Sequence, residues 1–441
     1  MGWRERVRLA APIVGLILAL AAGAALRLSF YGVIEWKADE QWTYDQAQTM
    51  AATGVWPPTG MPSSIGSPNP GLSLWVFAGL TKLLGIRSPP GLAGAVQALN
   101  VAALLAFVAF AMLVIPKARR EPWLWAAALW AANPVCIILE RKIWPPSVLP
   151  LPMIGFLAAW WFRRHPLAAF AWGALGALMA QIHMGAAFLA FAVALWTLIR
   201  DRGGFPWLGW LAGSAVGALP AIPWALAMAA HGAGAHAHHH PSIGYFLRWP
   251  TAMFGFDVTY TLGSGVIGDF LAGPRLGGAE THLMLAIYVA LIVLTFVVLA
   301  RGLRTLVAIG ALGRRALFLG DSPETTLIAA AFWGYGGLLT LITVAGAGSY
   351  RHYMIVVTPI LALWTAMAVL RTDRGWRRRL ARPILAAVCG LAAALSLGLL
   401  AYIDGKGVID GEFGPSWQAQ QQPGRPPPPG ADYRRGGAPS W

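Results

Sequence analysis

Residues 35–54, EWKADEQWTYDQAQTMAATG, gather carboxylates in a chain that has few of them. Glu35, Asp39, Glu40 and Asp45 lie in this stretch, although the 441 residues include only 18 acidic ones. A carboxylate beside a nucleophile can accept its proton as a general base. On a helix that starts near Asp39, Glu40 is turned about 100° away, so we expect the two adjacent acids to face different partners. The same pattern fits a structural pair, with Asp39 as N-cap and Glu40 as a first-turn acid; for Glu35 and Asp45 we expect ordinary surface positions.

Side chains that suit a phosphate, by their charge or by hydrogen bonding, occur in three segments: GSYRHYMIVVTP, AQIHMGAAFL and ILERKIWPPSVLP. Arg248 is a further candidate outside these segments. An arginine can hold a phosphate through two parallel hydrogen bonds. The alternative for Arg351 is an interfacial arginine whose charged end extends to water without binding a ligand. The alternative for His183 is a hydrated histidine at a helix turn. The phosphate-binding candidates are Arg351, His352, Arg248, Lys142 and Arg141. The candidates for lining the site are Gln181, His183, Tyr353 and Glu140.

The loop HGAGAHAHHHPSIGYFLRWP raises the question of a metal site. His236, His238 and His240 lie close together in it, but no cysteine is near and the spacing matches no standard zinc signature. A loop of Gly, Ala and His is more typical of a solvated segment. We therefore predict no resident metal, with a divalent ion at these histidines as the alternative.

The composition is that of a membrane protein. Hydrophobic residues make up 57% of the chain and charged residues 12%, with a net charge of +15 and a mean hydropathy of +0.58. The basic residues stand in short clusters between apolar runs, where they act as topology signals rather than as a groove for nucleic acid. Nucleic acid is therefore excluded as a partner, and membrane lipids are expected as the surroundings.

The apolar runs predict an all-α polytopic membrane protein with about 11 transmembrane helices. We expect one more apolar segment, which starts at Pro70, to lie on the membrane surface as an interfacial helix of the first external loop, since this places every dense basic cluster on the cytoplasmic side. The predicted spans are 9–30, 91–115, 123–139, 147–162, 166–181, 185–199, 207–229, 283–300, 326–345, 353–370 and 383–402.

This topology places the polar residues on the outer side of the membrane. Residues 1–402 form one transmembrane domain with external loops 31–90 and 230–282, and the Pro-, Gly- and Gln-rich composition predicts that residues 403–441 are an external, largely disordered tail. The N-terminus is expected in the cytoplasm and the C-terminus in the periplasm of a bacterial inner membrane. The span midplanes are almost free of ionisable groups, which favours chemistry at the outer face over ion-coupled transport.

An acidic pair opens a helix after the first span, and the segment SPNPGLSLWVFAGLTKLLG follows it. In this arrangement the sequence resembles the C-type glycosyltransferase superfamily. Within it, the likeness is to the branch of the lipid A aminoarabinose transferase and the protein O-mannosyltransferases. The resemblance implies transfer of a sugar from a polyprenyl phosphate to an acceptor, with Asp39 as base, Glu40 as helper and Arg351 in the family's Arg-Tyr motif. Relatives often carry Thr-Lys-Gly where Gln181 and His183 stand here, and an Asp between residues 143 and 152 is missing, where Glu140 could substitute.

The sequence therefore predicts an inverting glycosyltransferase of the cell envelope with an active site at the outer face of the membrane. Its partners would be a polyprenyl-phosphate-linked sugar donor and a lipid, glycan or protein acceptor. The alternatives are a lipid-linked glycan flippase or transporter, which also has many spans, and a non-catalytic assembly subunit with the same fold.

Overall fold

The computed structural model describes residues 3–62, 67–201, 204–231, 240–311, 313–346, 348, 350–371 and 376–422. Two-stranded antiparallel hairpins, β1 with β2 and β3 with β4, are the sheets in this part of the chain. Their strands are β1 (Thr59–Pro62), β2 (Pro68–Pro70), β3 (Arg275–Leu276) and β4 (Ala279–Glu280). The rest of the regular structure is helical, which confirms the predicted all-α class.

The first half of the chain alternates long apolar helices with short connecting ones. The helices are α1 (Trp3–Leu28), α2 (Ala38–Thr53), α3 (Leu72–Leu84), α4 (Pro89–Leu113), α5 (Arg120–Ala132), α6 (Pro134–Leu139), α7 (Pro150–Trp161), α8 (Pro166–Ile182), α9 (Met184–Asp201), α10 (Trp207–Ala218) and α11 (Ile222–His231). Short 3-10 turns occupy Lys117–Arg119, Pro145–Val148 and Leu219–Ala221.

The second half begins with the short helices of the predicted second external loop and continues with longer ones. The helices are α12 (Gly244–Arg248), α13 (Val258–Leu262), α14 (Ile267–Ala272), α15 (Leu283–Ala311), α16 (Arg314–Leu319), α17 (Pro323–Ala329), α18 (Gly336–Val344), α19 (Thr358–Leu370), α20 (Trp376–Lys406) and α21 (Trp417–Gln420). A π-helical segment, Ala330–Tyr335, joins α17 to α18, and 3-10 turns occupy Ala252–Phe254 and Arg351–Val357.

Helices long and apolar enough to cross a membrane recur along the described residues. There are 7 of them: Pro89–Leu113, Met184–Asp201, Trp207–Ala230, Leu283–Arg304, Pro323–Val344, Arg351–Leu370 and Arg379–Lys406. Shorter apolar helices cover Val14–Leu28, Leu72–Leu84, Pro150–Trp161 and Pro166–Ile182. A polytopic membrane protein is thus confirmed, whereas the count of about 11 spans and the interfacial placement of α3 stay predictions.

The predicted span 123–139 is broken in the structure at Asn133. The Asn133 side chain accepts a hydrogen bond from the Cys136 N–H at 2.9 Å and donates one to the Ala252 carbonyl at 2.8 Å. Pro134 follows, and it has no N–H to continue the helix. The apolar run therefore forms two helices, α5 and α6, and the second leads directly to Glu140.

Residues 407–422, here called the C-terminal strap, are ordered, which differs from the disorder predicted for the tail. The Trp36 N–H donates to the Pro415 carbonyl at 3.0 Å, and the Trp417 N–H donates to the Ile34 carbonyl at 3.0 Å. Glu35 and Ser416 form an antiparallel bridge between these two bonds. Residues 34–36 thus give the strap partners that its own composition does not reveal. The predicted tail residues 423–441 lie outside the described residues.

Candidate active site

Helix α2 turns its two adjacent acids to different surroundings, as helical geometry requires. The Glu40 carboxylate is fully buried and accepts a hydrogen bond from the Lys37 N–H at 3.2 Å. Lys37, not Asp39, is the N-cap residue. Asp39 is exposed, and its carboxylate makes no hydrogen bond or ion pair within the described part of the chain. Glu40 therefore secures the helix start, and Asp39 is available for chemistry.

The electrostatics around Asp39 favour a proton acceptor. Desolvation by the surrounding protein, followed by the charge of Glu40, raises the pKa of Asp39, while Lys142 and Lys37 act in the opposite direction. A carboxylate with a raised pKa is a stronger base than an ordinary aspartate once it is ionised.

Lys142 lies between two carboxylates beside Asp39. Its Nζ atom is 2.9 Å from Glu35 Oε2 and 3.1 Å from Glu40 Oε1, and Lys37 also pairs with Glu35. Burial alone would lower the pKa of Lys142, but the two carboxylates outweigh it and raise that pKa, so the side chain is an ammonium. The surface position expected for Glu35 is wrong: the residue is 4% exposed, because Lys142 and Lys37 supply the charges that allow its burial.

An aromatic cluster continues from Lys142 to the junction of α8 with α9 and to the 3-10 turn Arg351–Val357. The Lys142 ammonium lies 4.4 Å from the Trp144 ring centroid, and the Trp144 ring is 4.6 Å from that of His352. The centroid of the His183 ring is 5.2 Å from the ring centroids of both His352 and Tyr353. The sequence candidates His183, His352 and Tyr353 are therefore brought together with Lys142.

His183 serves this cluster as a neutral group. Its Nδ1 atom accepts the Gly185 N–H at 3.1 Å, between α8 and α9, and burial lowers its pKa to about 4. With its pKa lowered in this way, His183 contributes to the cluster through ring contacts and hydrogen bonding.

Arg351 lies in the same region with most of its donors engaged. Its Nη1 atom donates to the Asp257 carbonyl at 3.1 Å and to Thr261 Oγ1 at 3.1 Å. Its Nη2 atom forms an ion pair with Glu412 of the C-terminal strap. The guanidinium also lies 4.4 Å from the Tyr260 ring centroid, so Arg351 joins the second external loop to the strap.

Arg248 is a cation without such commitments. It ends α12 and is partly buried, and its guanidinium has no hydrogen bond or ion pair with any residue that the structure describes. Arg351 and His352 both lie within electrostatic range of it. Because a half-buried charge is usually paired, the Arg248 guanidinium is a candidate contact for an anionic ligand.

Three candidates are committed to structural contacts and do not line the site. Arg141 donates to four carbonyl groups at and beyond the end of α1: those of Leu26, Arg27, Phe30 and Val33. Such carbonyls have no partner within the helix, and Arg141 supplies the missing donors. The phosphate-binding role predicted for Arg141 is therefore unsupported by its geometry.

Glu140 and Gln181 are likewise held inside the helix bundle. Glu140 Oε2 is 2.6 Å from Arg27 Nη2, and Glu140 Oε1 accepts from Trp130 Nε1 at 2.6 Å. Gln181 Nε2 donates to the carbonyls of Ala177 and Gly217 at 2.9 and 2.7 Å, which ties α8 to α10. The contacts of both side chains are therefore with the helix bundle, where buried polar groups are usually hydrogen-bonded.

The structure does not test a metal at the histidine loop. His236 and His238 lie outside the described residues, and His240 is exposed. Among the described residues, no three His, Cys, Asp or Glu side chains form a group that could hold a metal ion.

Glu35, Lys37 and Glu412 are site residues that the sequence motifs do not reveal. Glu35 stands in the acidic stretch, so its type was a signal, but no helical periodicity extends back to it. Glu412 lies more than 370 residues from Lys37 and meets it only through the fold.

Comparison with known proteins shows similarity at the level of structure. No protein-family model matches the chain, and no curated protein sequence matches it. The chain superimposes on ArnT from Cupriavidus metallidurans in the apo state with a TM-score of 0.54 and 13% identity, over 90% of this chain and 77% of ArnT. ArnT bound to undecaprenyl phosphate gives a TM-score of 0.43 and 17% identity over the same shares, 90% and 77%.

The oligosaccharyltransferase of Archaeoglobus fulgidus in the apo form gives a TM-score of 0.45 and 14% identity, over 99% of this chain and 60% of that protein. Of these likenesses, that to apo ArnT is strong enough to show a shared fold. ArnT is a lipid A aminoarabinose transferase, and the fold of this chain is therefore the one that the motif resemblance implies.

Proposed function

We propose that the protein is an inverting glycosyltransferase that takes a sugar from a polyprenyl-phosphate carrier at the outer face of the membrane. The observation that carries the proposal is the free carboxylate of Asp39 beside a group of cations, in a chain with the fold of ArnT. ArnT has also been solved with undecaprenyl phosphate, which supports this class of carrier.

The residues of the site suit a single displacement. An acceptor hydroxyl or amine attacks the anomeric carbon, and a new bond forms there as the bond to the carrier phosphate oxygen breaks. The Asp39 carboxylate accepts the acceptor's proton, and the polyprenyl phosphate leaves with the bonding electron pair. Attack from the side opposite the phosphate inverts the anomeric configuration.

Lys142, Arg351 and Arg248, whose charges all act on His352, stabilise the charge that develops on the leaving phosphate. Arg248 has an unoccupied guanidinium, Lys142 is held as an ammonium, and Arg351 lies within electrostatic range of Arg248. Preorganised cations of this kind stabilise the transition state more than they would in water, because the site excludes much of the solvent. The neutral rings of His183 and Tyr353 form a wall that can contact the sugar.

To test the proposal, the purified protein in lipid nanodiscs is incubated with a panel of polyprenyl-phosphate sugars and candidate acceptors. We expect donor-dependent release of polyprenyl phosphate by the wild type, and a rate lower by about 10²–10⁴-fold in Asp39→Asn, since the amide cannot accept the proton. The matched control is Asp45→Asn, which changes an exposed acid on the same helix.

The outcomes separate the candidate functions. Wild-type turnover in Asp39→Asn contradicts the base role. Movement of intact donor across the membrane without cleavage identifies a transporter instead of a transferase, and absence of both activities with every donor contradicts the proposed function as a whole.

A further inference from the structure

The Glu412 carboxylate lies where an anion would bind Arg351. Arg351 is buried, with a side chain 6% exposed, whereas the Glu412 side chain is 32% exposed. The acid thus covers the guanidinium from the solvent side. Arg351 Nε has no hydrogen-bond partner among the described residues, so the guanidinium keeps an unused donor besides the one that Glu412 takes.

The C-terminal strap is held over Arg351 by a small number of backbone contacts. The Glu412 N–H donates to the Tyr260 carbonyl at 3.3 Å, and the Phe413 N–H donates to the Thr261 carbonyl at 3.1 Å. At Gly263 the approach is so close that a Cβ atom would lie 2.2 Å from the Asp410 carbonyl. These contacts place the tip of the strap directly on α13, the helix that also supplies Thr261 to Arg351.

A carboxylate and a phosphate compete for the same donors of a guanidinium, since both accept charge-assisted hydrogen bonds in similar geometry. Glu412 also has a second cation close by: Lys37 donates to the Glu412 backbone carbonyl. The carboxylate can therefore leave Arg351 and remain near a positive charge, which lowers the free-energy cost of the exchange.

We propose that Glu412 occupies the phosphate position on Arg351 in the empty enzyme and is displaced, with the tip of the strap, when the donor's phosphate binds. This inference rests on the proposed function, because the displacing anion is the carrier phosphate. The strap is then a lid that closes the site in the absence of donor.

The first test measures binding of undecaprenyl phosphate to the protein in nanodiscs. Glu412→Gln removes the competing charge but keeps the size of the side chain, and we expect the dissociation constant to fall about tenfold. Glu280→Gln, which removes an exposed acid that is paired with Arg275 and lies outside the strap, should leave the dissociation constant unchanged. In an Arg351→Gln background, the gain from Glu412→Gln should disappear.

The second test follows the strap itself in the wild-type protein. Hydrogen exchange at the Glu412 and Phe413 amides should become faster when undecaprenyl phosphate is added, because displacement breaks their bonds to Tyr260 and Thr261. This readout does not depend on turnover, and it distinguishes displacement from a merely stabilising contact.

Each result has a defined meaning. If the wild type and Glu412→Gln bind undecaprenyl phosphate equally, or if the strap amides become more protected, the lid is refuted while the proposed function stands. If neither protein binds the lipid, the carrier assignment fails, and the lid fails with it.

Discussion

Lys142 sets the charge balance next to the proposed base. Its ammonium contacts Glu35 and Glu40, and its charge also reaches Asp39. Together with Lys37, which pairs with Glu35, it balances two carboxylates while Asp39 stays unpaired among the described residues, although all three acids lie within six consecutive residues. The separation depends on helical geometry at residues 39 and 40 and on a cation delivered by another loop.

The first prediction concerns the pH dependence of transfer. Asp39 must be ionised to accept a proton, so kcat/KM should rise with pH through a pKa above that of an ordinary aspartate. Lys142→Gln removes a charge that lowers the pKa of Asp39, so the acidic limb should move to higher pH. A pH–rate profile of both proteins tests this.

A suitable control for the pH profile is Lys406→Gln. Lys406 is exposed and pairs with Asp269 in the second external loop, so its loss should not move the acidic limb. A limb that stays fixed in Lys142→Gln, or moves to lower pH, contradicts the coupling between Lys142 and Asp39.

At the scale of elements, α8 and α10 pack closely because glycines line their contact. A Cβ atom on Gly213 would lie 1.9 Å from the Phe170 carbonyl, and one on Gly217 would lie 2.4 Å from the Ala174 carbonyl. Small residues are the usual means of close helix packing in a membrane. Gln181 adds a hydrogen bond to Gly217 across the same contact.

The second prediction compares two glycine substitutions. Gly→Ala in an open helix stabilises by about 0.5–1 kcal/mol, and a Cβ on Gly79 of α3 would meet nothing within 4 Å. Gly79→Ala should therefore keep or raise the thermal unfolding midpoint, whereas Gly213→Ala should lower it. Tryptophan fluorescence during heating measures both variants, and equal midpoints would show that α8 and α10 move apart without cost.

The sequence predicts the helix boundaries well where a continuous apolar run determines them. It predicts them poorly where a contact with a distant part of the chain determines them. The spans at 91–115 and 166–181 correspond to α4 and α8, since continuous apolar runs leave no alternative. The break at Asn133 depends on a bond to Ala252, which is distant in sequence. In the site, periodicity separates Asp39 from Glu40, but the commitments of Arg141 and Glu140 depend on carbonyls and an arginine supplied by α1.

At the scale of the whole molecule, the C-terminal strap constrains the topology. It follows α20 directly and pairs with residues 34–36, which follow α1 after a short connection. The ends of α1 and α20 must therefore lie on the same face of the membrane. A chain whose first and last crossings end on one face crosses an odd number of times, which the predicted eleven satisfies.

The third prediction tests this arrangement with cysteine variants and a membrane-impermeant maleimide. In sealed, right-side-out vesicles we expect Asp410→Cys in the strap and Asp45→Cys in α2 to be labelled together, since both positions are exposed and the predicted topology places both on the outer face. Arg315→Cys, exposed in α16, should react only after detergent is added. The native Cys136 and Cys389 are buried and should give little background. Labelling of Arg315→Cys in intact vesicles, or protection of Asp410→Cys while Asp45→Cys reacts, would contradict a strap that closes over the outer site.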